Sequence, residues 1–148
     1  MIKKLMKSDL SQMLKIWNQH HKILTTPRTR HTKKSLTEWY QNPGKEKYGF
    51  FGLFETNKLQ AFMVVKYKND KTLWIKQLAC DKKEYRKGHG TALVKYAIKQ
   101  AKKMPIFSEV MVHNFEALNF FFKQNFTIVK YNERLQEFTL RYVPNSKL

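Results

Sequence analysis

The apolar positions of the chain change their spacing several times, and each change predicts a different element. A short strand is predicted from Met1 to Met6. Behind an N-cap at Ser8 or Asp9, apolar residues recur at helical spacing at Leu10, Met13, Leu14 and Trp17. A second helix is predicted from Ser35 to Gln41. The stretch between the two helices is predicted to be an irregular connection, and it contains Pro27, Arg28, Arg30 and His31.

Short β-rich runs separated by turn residues begin at Tyr48. They predict an antiparallel meander with strands at Tyr48 to Glu55, Leu59 to Tyr67 and Thr72 to Cys80. The glycines of Gly88-His89-Gly90 then precede a helix to about Lys103 and a strand from Ile106 to His113, a parallel crossover unit. A capped helix and two last strands follow, at Asn114 to about Gln124, Thr127 to Tyr131 and Gln136 to Val143.

Length and composition predict one α/β (α+β) domain that spans residues 1–148. Of the 148 residues, 42% are hydrophobic and 14% aromatic, which is enough for a packed core. No stretch approaches the roughly 18 uninterrupted apolar residues of a membrane span. Cys80 is the single cysteine, so an internal disulfide is excluded. We therefore expect a cytoplasmic protein.

The net charge of +18 arises from 29 Lys and Arg residues against 11 Asp and Glu residues. Such a surface attracts phosphates, nucleic acids and acidic protein surfaces. A lysine-rich surface that merely keeps the protein soluble explains the charge about equally well. Nucleic acid or a ribosomal component is therefore one candidate partner, and a polyanionic cofactor would also benefit.

A glycine loop between Asp81 and Thr91 joins a predicted strand to a predicted helix, with basic residues beside it. Glycine lets the backbone approach a ligand closely, and the free N–H groups of a helix start attract an anion. The third glycine of a dinucleotide fingerprint is missing, and no Gly-Lys-Ser/Thr follows. The loop predicts a cradle for a phosphate or pyrophosphate, the alternative being a tight turn without ligand.

Two segments resemble the GNAT superfamily of acetyltransferases. Leu78-Ala79-Cys80-Asp81 and Gly88-His89-Gly90-Thr91-Ala92-Leu93 resemble its acetyl-CoA-binding motif, Arg/Gln-x-x-Gly-x-Gly/Ala, with Tyr85 at the first position and Arg86 next to it. Asn114, Ala117, Phe120, Phe121, Lys123 and Phe126 are similar to the family's Asn-x-x-Ala-x-x-Phe-Tyr-x-x-x-Gly-Phe, with Asn125 at the glycine. The resemblance implies a mixed, mostly antiparallel central sheet, with a splayed parallel pair formed by the fourth and fifth strands, and about four helices.

The same resemblance implies an N-acetyltransferase that uses acetyl-CoA as co-substrate and acts on a primary amine. The implied pantetheine contacts are the backbone of Leu78, Ala79 and Cys80, with Asn114 and Phe121 near the thiol. The implied pyrophosphate contacts are Arg86, Lys87, Gly88, His89, Gly90 and Thr91. The acceptor stays open between a small amine, a protein N-terminus or lysine, and an aminoacyl-tRNA.

Acetyl transfer to an amine needs a base and, in many enzymes, an acid for the leaving thiolate. Glu109 is the first candidate for the base because it lies five residues before Asn114, as does a glutamate in the ribosomal-protein alanine acetyltransferases that this segment resembles. His113 is a second candidate, or a polar strand end on the same side as Glu109. Family members often use a tyrosine as the acid, and Phe121 stands there instead. Tyr131, water or unaided departure of the thiolate are the alternatives.

The remaining aromatic and histidine residues have simpler explanations. His89 is expected to point to solvent or to the adenosine half of the cofactor. No metal is predicted, because the reaction needs none and the histidines at positions 20, 21 and 31 lack a ligand spacing. The run Phe120-Phe121-Phe122 is predicted to be core, while Trp17, Trp39 and Tyr40 are either core or a wall of the acceptor pocket. A catalytically weak nucleic-acid-binding module on the same fold is the alternative to an enzyme, and a homodimer is the alternative to a monomer.

Overall fold

The seven strands of the computed structural model form one mixed sheet. The structure describes residues 1–20 and 31–144. The strands are β1 (Ile2–Lys4), β2 (Lys47–Glu55), β3 (Lys58–Lys68), β4 (Thr72–Cys80), β5 (Ile106–Met111), β6 (Phe126–Asn132) and β7 (Glu137–Tyr142). Their order is β1-β2-β3-β4-β5-β7-β6, and among these described strands β4 and β5 are parallel while every other neighbouring pair is antiparallel. The expected mixed sheet is confirmed.

Four helices flank the sheet in the described part of the chain: α1 (Leu10–His20), α2 (Lys33–Gln41), α3 (His89–Ala101) and α4 (Phe115–Lys123). Helix α2 begins two residues before its predicted start, because the Thr32 side chain accepts the N–H of Ser35 at 3.0 Å and caps the helix there. The irregular connection predicted around Pro27, Arg28 and Arg30 lies outside the described residues. None of the described helices is long and apolar enough to cross a membrane.

Two apolar cores lie on opposite faces of the sheet. Helices α3 and α4 pack on one face, where Leu93 and Phe121 meet Leu73 and Leu140. Helices α1 and α2 pack on the other face, where Trp17 and Leu36 meet strands β2 and β3. This second core contains no residue of β5, β6 or β7. No described helix therefore covers that half of the second face.

Strand β4 contains a β-bulge at Lys76. The β3 register pairs on either side of it are Val64↔Gln77 and Val65↔Ile75, so Lys76 is the extra residue. The parallel pairing of β4 with β5 ends at Ile75 and Ser108. The Ser108 hydroxyl donates to the Ile75 carbonyl at 3.0 Å and so satisfies the backbone where the ladder stops. The expected splay of the two strands thus begins at the bulge.

The bulge also shifts the phase of β4. Leu73 and Ile75 face the α3 core before the bulge, and Leu78 and Cys80 pack against the same core after it. Beyond the bulge, the N–H of Asp81 donates to β3 at the Gln60 carbonyl, 2.9 Å away. Because alternate residues of an antiparallel strand bond to the same neighbour, the backbone groups of Leu78 and Cys80 face away from β3. They are therefore directed toward the gap between β4 and β5.

Candidate functional site

A cleft opens where β4 and β5 separate. It is lined by Ile75, Lys76, Gln77 and Leu78 of β4, Ser108, Glu109, Val110 and Met111 of β5, and Asn114, Ala117 and Phe121 at helix α4. Val110 and Phe121 belong to the core under α3 and α4, whereas Glu109 alternates with Val110 and lies on the other face of β5. The cleft thus connects the two faces of the sheet.

Glu109 and Lys76 form an ion pair inside this cleft. Lys76 Nζ lies 2.9 Å from Glu109 Oε1, and their side chains are 23% and 30% exposed. Among the described residues that line the cleft, these two carry the formal charges. The pair holds the Glu109 carboxylate at the mouth of the cleft, with one of its two oxygens engaged by the ammonium.

Lys76 was not anticipated from the sequence. Its position depends on the bulge, which places an extra residue directly beside the point where β5 diverges. A signal was present, because the apolar residues of β4 change phase between Ile75 and Leu78. A regular strand would have kept the alternation unbroken, so this phase change indicates a bulge near Lys76.

His113 does not reach the cleft. Strand β5 ends at Met111, two residues before its predicted end, and His113 is exposed in the turn that follows. The Asn114 side chain then accepts the N–H of Ala117 at 3.2 Å and starts helix α4. The alternation that would have placed His113 beside Glu109 therefore stops too early.

Tyr131 lies on the opposite face of the sheet from Glu109. It pairs across β6 and β7 with Phe138, whose β5 partner is Val110, while Glu109 pairs with Thr139. Directly paired residues share a face of the sheet, and successive residues alternate between faces. The Tyr131 side chain is half exposed, and its hydroxyl accepts the Gln136 side-chain amide at 3.0 Å. The structure does not bring Tyr131 and Glu109 together.

Phe121 and Asn114 do line the cleft. Phe121 is 5% exposed, and its ring meets those of Phe120 and Phe126 edge-on, with centroids 5.3 and 5.0 Å away. Phe120 packs against the same core, but Phe122 is 43% exposed, so the prediction that the whole Phe120–Phe122 run is core was wrong at Phe122. Because successive residues of a helix point in different directions, the Phe121 ring faces the core and the Phe122 ring faces solvent.

The glycine loop lies at the start of helix α3. Gly88 is the N-cap with a φ of +80°, and Arg86 is also left-handed with a φ of +65°. No side chain caps the helix at Gly88, and the first helical bond runs from Ala92 N–H to the Gly88 carbonyl. The N–H groups of His89, Gly90 and Thr91 therefore lack helical partners. Exposed basic side chains surround them at Lys82, Lys83, Arg86 and Lys87. This arrangement fits a pyrophosphate.

Gly90 has a second role in packing. A Cβ placed there would lie 3.1 Å from two atoms of the Phe120 ring. The next residue, Thr91, accepts a hydrogen bond from the side-chain amide of Gln124 at 3.0 Å. Helix α3 is therefore docked against α4 at its first turn, which fixes the loop relative to Asn114 and Phe121.

Comparisons with known proteins agree with this geometry. No curated relative matches the chain in sequence. Residues 13–126 match the model of the Acetyltransferase (GNAT) family. The chain belongs to this family.

Solved structures show the GNAT fold over almost the whole chain. The PaiA N-acetyltransferase from Thermoplasma acidophilum in complex with coenzyme A is 18% identical, with 96% of this chain and 97% of that chain covered and a TM-score of 0.75. The ribosomal-protein-alanine N-acetyltransferase from Brucella melitensis is 12% identical, with 95% and 96% covered and a TM-score of 0.76. An acetyltransferase from Thermus thermophilus is 15% identical, with 95% and 94% covered and a TM-score of 0.79.

The His89 side chain of this GNAT chain is turned inward. It is 6% exposed, and its Nε2 lies 3.5 Å from Glu84 Oε1 and 4.0 Å from Glu55 Oε1. Lys87 Nζ contacts the other Glu84 oxygen at 3.0 Å, and this hydrogen bond lowers the pKa of Glu84. The expectation that His89 points to solvent was wrong, because the ring is buried beside two carboxylates, and a position near the adenosine stays a prediction.

These carboxylates and His89 bring three potential metal ligands within 4.8 Å of one another. The existing contacts already engage each of the three side chains without an ion. That the GNAT chain needs no metal stays a prediction.

Tyr85 occupies the first position of the GNAT motif and packs on the end of α1. Its ring stacks on His20 with centroids 6.0 Å apart, and its hydroxyl lies 3.4 Å from His20 Nδ1. His20 Nε2 donates to the Cys80 carbonyl at 2.8 Å, and burial lowers the pKa of His20. The neutral imidazole thus ties α1 to the end of β4. That Arg86, one residue later, makes the basic contact of the motif stays a prediction.

Cys80 is a poor nucleophile in this environment. Burial raises the pKa of its thiol to about 11. The thiol donates weakly to the Asp81 carbonyl, with sulfur and oxygen 3.4 Å apart. Because the thiolate is the reactive form, Cys80 is inert near neutral pH. Its side chain is therefore unsuited to carry an acyl group.

Trp17 belongs to the core of the GNAT fold. It is fully buried, and its ring stacks on Phe62 with centroids 6.0 Å apart. Trp39 and Tyr40 are partly buried beside the same core, where both meet Phe50. Of the two roles considered for Trp17, core packing and a wall of the acceptor pocket, core packing accounts fully for its position.

Proposed function

We propose that this protein is an N-acetyltransferase that moves the acetyl group of acetyl-CoA to a primary amine. One observation carries the proposal: an uncapped, basic helix start and a cleft with a carboxylate lie at the two ends of the splayed part of β4. The first suits the pyrophosphate of acetyl-CoA, and the second suits the reacting amine. Family membership and the coenzyme A-bound PaiA structure support the choice of co-substrate.

In this proposal, the N–H groups of His89, Gly90 and Thr91 bind the pyrophosphate, and the basic residues around them add charge. The backbone of Leu78 and Cys80 faces the gap beside β5 and pairs with the pantetheine. Asn114 and Phe121 border the thioester from the α4 side of the cleft. These contacts place the acyl carbon between the two faces of the sheet.

Glu109 is the proposed base. It accepts the proton that the amine loses as the new N–C bond forms, while Lys76 keeps the carboxylate in the cleft. Acetyl-CoA supplies an acyl group bound to a thiol. Because the pKa of a thiol is about 8.5, the thiolate is a tolerable leaving group without a protein acid. The inert Cys80 favours direct transfer over an acyl-cysteine route.

The test is thiol release from acetyl-CoA with a panel of acceptors: a small amine, a peptide with a free N-terminus, a lysine side chain and an aminoacyl-tRNA. We expect Glu109→Gln to lower kcat by about 100-fold with little change in the Kd for acetyl-CoA, because only the base is lost. Glu38→Gln, an exposed residue of α2, is the matched control. An unaltered rate in Glu109→Gln would remove Glu109 from the mechanism. If none of the acceptors on the panel gives thiol release, that result would argue against the proposed activity.

A further inference from the structure

A row of cross-strand neighbours crosses the half of the sheet that no described helix covers. Lys66 pairs with Trp74, Trp74 with Phe107, and Phe107 with Arg141. Paired residues share a face, and this face is opposite to the core of Leu73 and Leu140. We call it the open face and define it by Lys66, Lys68, Trp74, Phe107, Lys130 and Arg141. Lys130 joins it through its pairing with Thr139, which also pairs with Glu109.

On the open face, a cationic side chain lies at each end of a pair of stacked aromatic rings. Lys68 Nζ lies 4.4 Å from the centroid of Trp74, and the Trp74 and Phe107 rings stack with centroids 4.8 Å apart and planes at 21°. The Arg141 guanidinium follows, 5.6 Å from the Phe107 centroid. Lys68 and Arg141 are exposed, and the two rings are partly buried. A guanidinium plane and aromatic rings are surfaces on which unpaired bases stack.

The charge of the open face is positive. Its basic side chains come from three strands, β3, β6 and β7, and Lys76 of the β4 bulge lies at its margin. Three described carboxylates lie on this side of the sheet or reach it. Glu46 contacts Lys66 at 3.2 Å, Glu109 contacts Lys76 at 2.9 Å, and Glu137 lies on the same side of β7 as Arg141. Lys68, Lys130 and Arg141 add charge beyond these two ion pairs, on a molecule with a net charge of +18. The surface is complementary to a polyanion that carries planar groups.

We propose that the open face binds single-stranded nucleic acid. Phosphates contact Lys68 and Lys130, and a base stacks on the guanidinium plane of the exposed Arg141. A single strand fits better than a duplex, because a flat sheet face has no helix or loop to enter a groove, whereas it offers stacking contacts to unpaired bases. Glu109 borders the open face, and nucleic-acid binding there goes beyond the proposed acetyl transfer.

The test is fluorescence anisotropy with a labelled oligouridine RNA of about 12 nucleotides, titrated at several NaCl concentrations. The double variant Lys68→Glu/Arg141→Glu is compared with a control double variant, Lys95→Glu/Lys99→Glu. Lys95 and Lys99 are exposed on α3, which packs on the opposite face, and both double variants lose the same charge. We expect the first pair to weaken binding by roughly tenfold more than the second and to flatten the salt dependence.

Three results would overturn the proposal: an equal loss in both double variants, no RNA binding by the unaltered protein, or displacement of the RNA by coenzyme A. The last result would place the strand on the glycine loop instead. If the first double variant does not fold, Arg141→Gln replaces it, with an expected loss of about threefold against an unchanged Lys95→Gln. None of these readouts requires acetyl transfer, so failure of this proposal and failure of the proposed enzyme are distinguishable.

Discussion

Phe121 lies on the cleft wall at the position where the GNAT motif has a tyrosine. Its ring is held edge-on between Phe120 and Phe126, and it carries no proton to transfer. The nearest alternative from the sequence, Tyr131, lies on the other face of the sheet from Glu109. We therefore expect the thiolate to leave without a tyrosine acid.

This expectation is tested by Tyr131→Phe. The variant removes one hydroxyl and its bond to Gln136, both exposed, so stability should change by less than about 0.5 kcal/mol. We expect kcat for acetyl transfer to stay within about twofold of the unaltered protein, measured by thiol release at saturating acetyl-CoA. A fall of tenfold or more, with an unchanged melting temperature, would return Tyr131 to the mechanism.

Residue positions could be predicted from the sequence where a local motif fixes them. The Asn114 cap and the left-handed Asn125, with a φ of +69°, follow from the local pattern alone. His89 could not be placed, because its burial depends on Glu55, which comes from the end of a distant strand. The position of His113 was mispredicted because β5 ends two residues earlier than expected. Hydrophobic periodicity does not fix the exact end of a strand.

At the scale of elements, the first turn of α3 combines the proposed pyrophosphate loop with a packing contact. A large side chain at Gly90 would meet Phe120 as well as a pyrophosphate on the loop. A single large substitution at Gly90 would therefore confuse loss of binding with loss of packing. Two substitutions of different size and charge separate the roles.

Gly90→Ala adds a methyl group but no charge. Alanine favours a helix over glycine by up to about 1 kcal/mol, and the contact with the Phe120 ring opposes this gain. We expect little net change in the free energy of unfolding and an affinity for acetyl-CoA within about tenfold, measured by denaturant titration and calorimetry.

Gly90→Glu places a carboxylate against the expected pyrophosphate, and we expect a loss of affinity of at least about 100-fold. Equal affinities of the two variants would mean that the loop does not hold the anion.

The bounds of β4 followed from local signals, while the bulge inside it was not predicted. The pattern predicted β4 at the bounds that the structure shows, Thr72–Cys80. Within β4, the shift of side chains at Lys76 depends on the pairing with β3, so a prediction based on one continuous strand missed it. The ion pair with Glu109 was missed with it, since β5 meets β4 only in the folded sheet.

At the scale of the whole molecule, excess positive charge works against compactness. The net charge of +18 is spread over 148 residues and already counts the 11 acidic residues, so the ion pairs between side chains leave it undiminished. Like charges repel across the surface, and salt screens them over about 10 Å at 0.1 M. The sequence predicted the amount of charge. It did not predict the open face, whose members come from β3, β4, β5, β6 and β7.

We expect sodium chloride to stabilise the fold. Raising its concentration from about 10 to about 200 mM should increase the melting temperature by a few degrees, because repulsion in the folded state is screened. Scanning calorimetry measures the shift, and chloride is preferred to phosphate, which would bind the glycine loop. A melting temperature that falls with chloride would show that the ion pairs outweigh the repulsion.

The extra residue in β4 separates two kinds of sequence change. Exchanging Lys76 for another amino acid leaves the count of residues intact, so the strands still part after Ile75. Deleting it would remove the extra residue, restore a regular alternation in which Leu78 and Cys80 stay on the side of Ile75, and let β4 pair further along β5. In this chain, the number of residues in β4 is therefore a stricter requirement for the gap between β4 and β5 than the identity of Lys76.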